Sequence, residues 1–380
     1  MRVTIVTTSY PLSSTSVSGI FLKNLVDRLD ELLDCYVVCP ADKDECDITK
    51  VAQVRYAPSK FRFLFHSSGG LPSAISRHKV LGPLLLVSFI MGTFFSCMRA
   101  ARATDVYFAN WALMGVVTGM VAKLLGKPLV TTIRGSDTSG GRLNNSILKL
   151  CFKCSDAIVF VSQGLKLRYD KEYPEYCNKF HFIPNGVSTF DGIPERKKEM
   201  QIITVGSLIP RKDIKVQLEA AKLLLEEGLG FKWLIVGGGE QFESIRSFIS
   251  RNSMEDHVEL LGELPHHEVL RLYSESQIFV LSSLLEGRPN VVVEAMAAGL
   301  CVISTDILAV KDVITDGDNG LLFPCGDAVM LKELVYRVAL DQERRELIAD
   351  KAEKWVVEEN LTWRSAAEKY NLLFRAVGAD

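Results

Sequence analysis

The sequence predicts an α/β protein built from two tandem doubly wound, Rossmann-like domains that face across a cleft, and three observations carry this reading. The chain has 380 residues, and a domain takes roughly 150. Short apolar runs of strand length alternate with helix-period segments along most of it, the pattern of a parallel sheet covered by helices. That alternation pauses at one internal stretch, 188–199, which is polar, holds Gly192 and Pro194, and has neither period. A composition of 48% hydrophobic, 24% charged and 9% aromatic residues supplies apolar material for two cores. Disorder, collagen and coiled coil are thereby excluded as dominant states.

In chain order, Val3 to Thr7 reads as a strand, Gly19 to Leu33 as a helix and Cys35 to Cys39 as a strand. Further strands are expected at Val106 to Ala109, Leu129 to Ile133, Ala157 to Val161 and Phe180 to Pro184, with helices over about 80–103, 112–125 and 143–155. Beyond the polar stretch come strands at Gln201 to Val205, Lys232 to Val236, Val258 to Leu261, Ile278 to Leu281 and Cys301 to Ser304. Helices are expected from Ile214, Glu240 and Pro265, and the last stretch, Asp327 to Phe374, has helical pattern nearly throughout. The expected division is a first domain over 1–187, a linker over 188–199, a second domain over 200–355, and a C-terminal helix over 356–380 that packs back on the first domain. Ligands of such open sheets bind beyond the carboxyl ends of the strands.

Charge narrows the function classes. With 44 basic and 46 acidic residues the net charge is −2, which gives no global field for nucleic acid. Nine cysteines are scattered along the chain, and Cys151-Phe-Lys-Cys154 has no second ligand pair at zinc spacing, so the thiols read as structural and no metal site is expected. The apolar run after Met1 is too short for a leader, and a reducing, cytoplasmic setting is expected. From Val80 to Met98 no residue is charged, while Arg77, His78 and Lys79 precede and Arg99 and Arg102 follow. This length barely reaches a bilayer span. Internal Gly82, Pro83, Gly92 and Ser96, together with basic residues on both sides, favour a buried or membrane-touching helix over a span. Basic flanks suit an anionic leaflet, so peripheral contact with the inner face of a membrane is expected.

The most informative stretch runs from Ser282 to Gly299. It follows a strand, and Pro289 and Asn290 suit the start of a helix that Gly299 ends. Backbone N–H groups around Gly287, Asn290 and Val291, with the positive end of the helix, offer an anion site fit for a diphosphate. Two carboxylates bracket it. Glu286 in the preceding loop can accept hydrogen bonds from sugar hydroxyls, and Glu294, about one turn into the helix, can grip a vicinal diol such as that of ribose. Acidic residues are favoured at helix starts anyway, which accounts for Glu294 but not for Glu286.

This Glu, seven residues, Glu arrangement within EGRPNVVVEAMAAGLCVIST resembles the signature of the group-one retaining glycosyltransferases of the GT-B fold, which use nucleotide-sugar donors. Other segments resemble that family's blocks in the same order: Tyr10-Pro11 with Ser18-Gly19-Ile20-Phe21, ANWALMGVVTGMVAKLLGKPLVTTIRGSD, FVSQGLK, FIPNGV, VGSLIPRKDI, LIVGGGE and LGELPHHEVLRLYSESQIFVLSS. The likeness extends to about residue 330. It implies that Arg211 and Lys212 reach the donor diphosphate, that Gly19 lets the first domain's backbone approach a phosphate, that Gly238 lies beside the nucleotide and that Leu264 contacts the base through its main chain. It further implies no cofactor beyond the nucleotide-sugar substrate. No acidic pair of the Asp-x-Asp type stands in a suitable loop, which agrees with cations and a helix dipole serving the phosphates in place of a metal.

Two positions depart from the pattern. Many members carry His where Arg134 stands, near the donor sugar, and Arg cannot shuttle a proton; Arg134 is instead expected to steady charge or orient Asp137. Members often have Arg where Ser207 stands, so a phosphate contact is absent or moved to Arg211. The implied function is transfer of a sugar to a saccharide or lipid-linked saccharide, in assembly of a cell-surface polysaccharide or lipopolysaccharide. The departures leave open a second reading, a nucleotide-binding or scaffolding protein that has lost transfer. A nicotinamide or flavin enzyme is disfavoured, because Gly237-Gly238-Gly239-Glu240 lacks the Gly-x-Gly-x-x-Gly continuation. His266 and His267 are adjacent and diverge, which reads as surface or capping rather than ligation.

Overall fold

The computed structural model describes residues 1–12, 19–42, 48–62, 64–65, 75, 78–134, 137, 141–188 and 199–379. The chain forms two compact units: Met1–Gly186 with Trp363–Asp380, and Val187–Thr362. Each is a Rossmann-like layer of parallel strands with helices on both faces.

Unit 1 contains β1 (Arg2–Val6), α1 (Ile20–Asp30), β2 (Asp34–Pro40), β3 (Val51–Val54), α2 (Leu81–Ala100), β4 (Val106–Asn110), α3 (Ala112–Leu125), β5 (Leu129–Ile133), α4 (Arg142–Cys154), β6 (Ala157–Phe160), α5 (Gln163–Glu172) and β7 (Phe180–Phe182). Its seven strands are ordered β3-β2-β1-β4-β5-β6-β7, and every pairing is parallel. Every residue of β4, β5 and β6 is buried. Such strands read as continuous apolar runs because helices cover both faces. Around one face pack Val3, Ile5, Leu22, Leu25 and Phe108; around the other, Val6, Val38, Phe89, Tyr107 and Met114. The Cys151 and Cys154 thiols lie where α4 approaches Gly115 and Gly119 of α3, and a Cβ at either glycine would come within 2.6 Å of the facing cysteine. The Cys-x-x-Cys pair is therefore packing, and burial pushes the Cys151 thiol up to about 12.

Unit 2 contains β8 (Gln201–Val205), α6 (Ile214–Glu226), β9 (Lys232–Val236), α7 (Phe242–Arg251), β10 (Val258–Gly262), α8 (His266–Glu275), β11 (Ile278–Leu281), α9 (Asn290–Ala297), β12 (Cys301–Thr305), α10 (Leu308–Lys311), β13 (Leu321–Phe323), α11 (Ala328–Leu340) and α12 (Gln342–Glu358). Its strands are ordered β10-β9-β8-β11-β12-β13, again all parallel. The order reverses between β8 and β11, and at such a switch point the two loops diverge and open a crevice.

The expected boundaries differ from those observed. Val187, placed in the first domain from sequence, is buried in the unit 2 core and pairs with Thr362. The expected division at 355/356 falls inside α12, which continues because Val356 packs in that same core. The chain leaves unit 2 after Thr362, following Asn360 at φ 49°, and α13 (Trp363–Val377) belongs to unit 1. Trp363, Ala366, Ala367, Tyr370 and Phe374 form its buried stripe. Tyr370 and Phe374 pack as tilted rings against Phe108 at 5.0 and 5.2 Å between centroids, each burial stabilising by about 1.5–3 kcal/mol. Within the expected linker, 189–198 lie outside the described residues.

Candidate functional site

The loops at the unit 2 switch point hold most of the residues singled out from sequence. After β8 the chain turns through Gly206 and Ser207 to a short 3-10 turn, Pro210–Lys212, and Asp213 at φ 47° redirects it into α6. Lys212 donates from Nζ to Glu286 Oε1 at 2.5 Å, and Ser283 Oγ donates to the same oxygen at 2.7 Å. The two charged side chains are 13% and 9% exposed. A buried pair like this contributes little net stability, but removing one partner leaves an uncompensated charge. The sequence placed Lys212 at a diphosphate and Glu286 at a sugar; the structure joins them to each other first. Glu286 Oε2 takes no hydrogen bond from a described residue.

A buried polar network fixes this pair. Trp233 Nε1–H donates to Thr204 Oγ1 at 3.1 Å, Thr204 Oγ1–H donates to Gln217 Oε1 at 2.8 Å, and Gln217 Nε2–H donates to Ser282 Oγ at 2.7 Å. Ser282 Oγ in turn lies 2.8 Å from the Lys212 carbonyl. Leu284 N–H donates to the Arg211 carbonyl, which ties the β11 loop to the β8 loop. Satisfied networks in low dielectric hold one geometry. Sequence reasoning missed Thr204, Gln217, Trp233 and Ser282, since no spacing rule links residues on four separate elements.

Arg211 is half-buried, and its Nε is enclosed without a hydrogen-bond partner. The glycine run explains how the loops come so close. A Cβ on Gly237 would sit 1.9 Å from the Gly206 carbonyl oxygen and one on Gly239 2.3 Å from that of Leu208, and Leu208 N–H donates to the Gly238 carbonyl at 2.8 Å. Gly238 thus braces the cationic turn. Leu264 is packed against the unit 2 core.

The start of α9 offers fewer open donors than the sequence implied. Asn290 N–H is turned onto the Arg288 carbonyl, and those of Val292 and Val293 onto the Pro289 carbonyl. Among the described residues, the N–H groups of Gly287 and Val291 take no partner. Glu294 is the fifth residue of the helix, so it lies in the second turn rather than at the dipole end, and the preference for acids at helix starts no longer accounts for it. Its carboxyl is half-buried, has no hydrogen-bond partner among the described residues, and burial lifts it to about 7. Tyr273 lies near enough for the Glu294 charge to push its phenol further up. His267 is exposed and His266 half-buried, its ionisation pushed down by burial. Among the described residues no cluster of three His, Cys, Asp or Glu is placed to hold a metal.

Unit 1 holds the remaining candidates. Gly19 precedes α1 at φ 80°, and a Cβ there would meet the Ser9 carbonyl oxygen at 2.6 Å. A local turn therefore demands glycine, independently of any ligand; Ser18 lies outside the described residues. Arg134 follows β5 and is buried, its guanidinium 3.9 Å from the Phe21 ring centroid. Asp137 accepts from the backbone N–H of Ala112 at 3.2 Å and of Arg134 at 2.9 Å. Both its oxygens are thus engaged at the start of α3 and the end of β5, which is the geometry of a positioning group. Burial nonetheless holds its carboxyl up at about 6, against the pull of those N–H groups and of Arg134.

Residues 188–355 match the family described as glycosyl transferases group 1, and 18–189 match glycosyltransferase family 4. The chain belongs to the group 1 glycosyltransferases. The putative colanic acid biosynthesis glycosyltransferase WcaL of Escherichia coli K12 is 27% identical over 299 residues, 75% of this chain and 73% of WcaL. The putative teichuronic acid biosynthesis glycosyltransferase TuaC of Bacillus subtilis is 24% identical over 375 residues, 92% of each chain. Among solved structures, Anabaena HepE in complex with UDP is similar with a TM-score of 0.72 and 15% identity, over 99% of this chain and 100% of HepE. That likeness shows the GT-B fold. In this group 1 glycosyltransferase the Glu286 to Glu294 signature lies at the unit 2 switch point, where fold physics puts a ligand.

Proposed function

We propose that this glycosyltransferase moves a sugar, with retention of anomeric configuration, from a nucleoside-diphosphate sugar held by unit 2 to a saccharide or lipid-linked saccharide held by unit 1, in building a cell-surface polysaccharide. The observation that carries the donor side is the arrangement at β8 and β11: an enclosed Arg211 Nε, Lys212 paired with Glu286, and the open N–H groups of Gly287 and Val291. Cations and oriented N–H groups preorganised at one loop edge suit the charge that develops on a departing diphosphate. Glu286 Oε2 then orients donor-sugar hydroxyls while Lys212 and Ser283 hold Oε1, and Glu294 accepts from the ribose diol. Arg211 and Lys212 take the charge-neutralising role without a metal. The acceptor proton goes to a donor phosphate oxygen, since an Arg134 guanidinium cannot shuttle a proton and both Asp137 oxygens are engaged by backbone N–H groups. The similarity to the putative colanic acid and teichuronic acid biosynthesis glycosyltransferases WcaL and TuaC supports the polysaccharide setting, and the UDP bound to HepE makes uracil the first base to test.

The membrane side rests on α2. Leu81–Ala103 is long and apolar enough to cross a bilayer, and 28% of its apolar window is buried. One face, Leu85, Phe89, Thr93 and Cys97, packs in unit 1; the opposite face shows Leu84, Val87, Met91 and Phe95 at 50–63% exposure. Exposed Lys79 precedes this stripe and exposed Arg99 and Arg102 follow it. A helix apolar on its outer face with cations at both ends matches the surface of an anionic leaflet, which brings unit 1 to a lipid-linked acceptor.

Product analysis with a matched donor and acceptor tests the reaction. The α-linked donor sugar is expected to appear α-linked in the product, and Glu286→Gln is expected to lower kcat/KM by about a hundredfold or more, as for removal of a preorganised polar contact. An inverted product, or a Glu286→Gln variant with full activity, contradicts the assignment.

A further inference from the structure

We propose that unit 1 carries its own oxyanion subsite, centred on Arg134 and Asn110 at the carboxyl edge of its sheet, which takes a carboxylate or phosphoryl group borne by the saccharide substrate. This deepens the glycosyltransferase reading and rests on it.

Two neighbouring strands deliver the groups. Asn110 is the last residue of β4 and pairs in register with Thr132 of β5; Arg134 follows β5 directly. The two side chains therefore reach the same edge, and Arg134 Nη2 donates to Asn110 Oδ1 at 3.2 Å. That contact is the guanidinium's one hydrogen bond among the described residues. Its Cζ lies 3.9 Å from the Phe21 ring centroid and 5.7 Å from that of Trp111, and these two rings meet edge-on at 6.1 Å. The cation is thus held in an aromatic slot, with its fork pre-set.

The slot is left chemically incomplete. Asn110 is 0% and Arg134 9% exposed, and Asn110 Nδ2 and Arg134 Nε are both enclosed without a hydrogen-bond partner. Buried donors are nearly always paired, and an exception calls for a cause. Among the described residues, no carboxylate neutralises the guanidinium by an ion pair. Asp137 spends both oxygens on backbone N–H groups and forms no ion pair with Arg134, so it contributes a field rather than a partner. Burial pulls Arg134 down only to about 10, which leaves it charged at neutral pH. Trp111, between β4 and α3, is held at φ 72° and ψ 148°, a strained conformation for a bulky residue of the kind that persists at ligand clamps. Two orphaned donors beside a desolvated cation call for an acceptor with negative charge and two oxygens. A hydroxyl would satisfy the hydrogen bonds and leave the charge uncompensated; a carboxylate or phosphoryl group does both.

Calorimetric titration of the full chain with glucuronate, glucose 6-phosphate and glucose tests the subsite and distinguishes the sources of the anion. At least one charged sugar is expected to bind ~tenfold or more tightly than glucose. Glucuronate alone indicates a uronic sugar, and glucose 6-phosphate alone a phosphoryl-bearing one. The preference is expected to vanish in Arg134→Gln, to be partly restored in Arg134→Lys, and to persist in Arg211→Gln, which alters the unit 2 site instead. Equal binding of charged and neutral sugars by the unaltered chain needs no variant and overturns the proposal, as does a preference that survives Arg134→Gln or disappears in Arg211→Gln. Nucleoside diphosphate binding is measured on the same protein, so a failed subsite with intact nucleotide binding leaves the donor reading standing.

Discussion

On the proposed donor reading, Glu294 sets the pH behaviour of unit 2's site. Its carboxyl is lifted by burial from an ordinary 4.5 to about 7, so the folded chain holds a proton there that the unfolded chain has released. Between those values the folded state binds more protons than the unfolded one, and stability from this group is greatest at low pH and declines as pH rises through about 7. Donor binding runs the other way, because only the carboxylate accepts two hydrogen bonds from a diol. Nucleoside diphosphate affinity is expected to rise about tenfold between about pH 6 and about pH 8. In Glu294→Gln, the remaining slope reports the ligand's own ionisation, and calorimetry at several pH values reads the difference. Identical slopes in the two proteins contradict this role. Glu286 drew notice in the sequence because a carboxylate in a loop before a helix start has few structural reasons to be there, and Glu294 through its spacing from Glu286 within the signature. The partners that give them geometry were not legible there: Lys212 reaches Glu286 from 74 positions away, and Asn110 becomes interesting only when its amide is found enclosed beside Arg134.

At the scale of the element, α2 is the segment whose sequence and structure are in tension with water. The run from Val80 to Met98 showed it to be apolar, and only the fold shows which half is spent on the core: Leu85, Phe89, Thr93 and Cys97 go inward, leaving Leu84, Val87, Met91 and Phe95 outside. Met91→Glu with Phe95→Glu is expected to lose cosedimentation with phosphatidylglycerol vesicles, each charge opposing insertion of a face that held the leaflet. Retention of vesicle binding by that variant, or equal binding of the unaltered chain to neutral vesicles, removes the membrane contact from the account. The longer buried strands and periodic helices were readable because burial on both faces yields continuous apolar runs. Short β3 at the sheet edge and β13, of three residues, carry too little pattern to be distinguished from loops. Helix α5 was passed over for a different reason: QGLKLRYDKE is polar on most of its surface and buries only Leu165 and Tyr169.

For the whole molecule, the two-domain reading and its parallel sheets were legible in the pause of the alternation at 188–199. The exact passage of the chain was not, because Val187 and the end of α12 are assigned to unit 2 by contacts far apart in sequence. Helix α13 lies in the stretch expected to be helical, yet its stripe and its partner, Phe108 on β4, are visible only in the fold. The proposal that the loops of unit 2 form a nucleoside diphosphate site is open to one direct measurement. The measurement is thermal unfolding of the full chain with UDP, GDP, ADP and TDP in turn. At 100 times its dissociation constant one of them is expected to stabilise unit 2 by ~2.7 kcal/mol, a rise of roughly 5–10 °C for a unit of this size, lost in Glu294→Ala. No rise with any of the four, or a rise that Glu294→Ala leaves intact, contradicts the account.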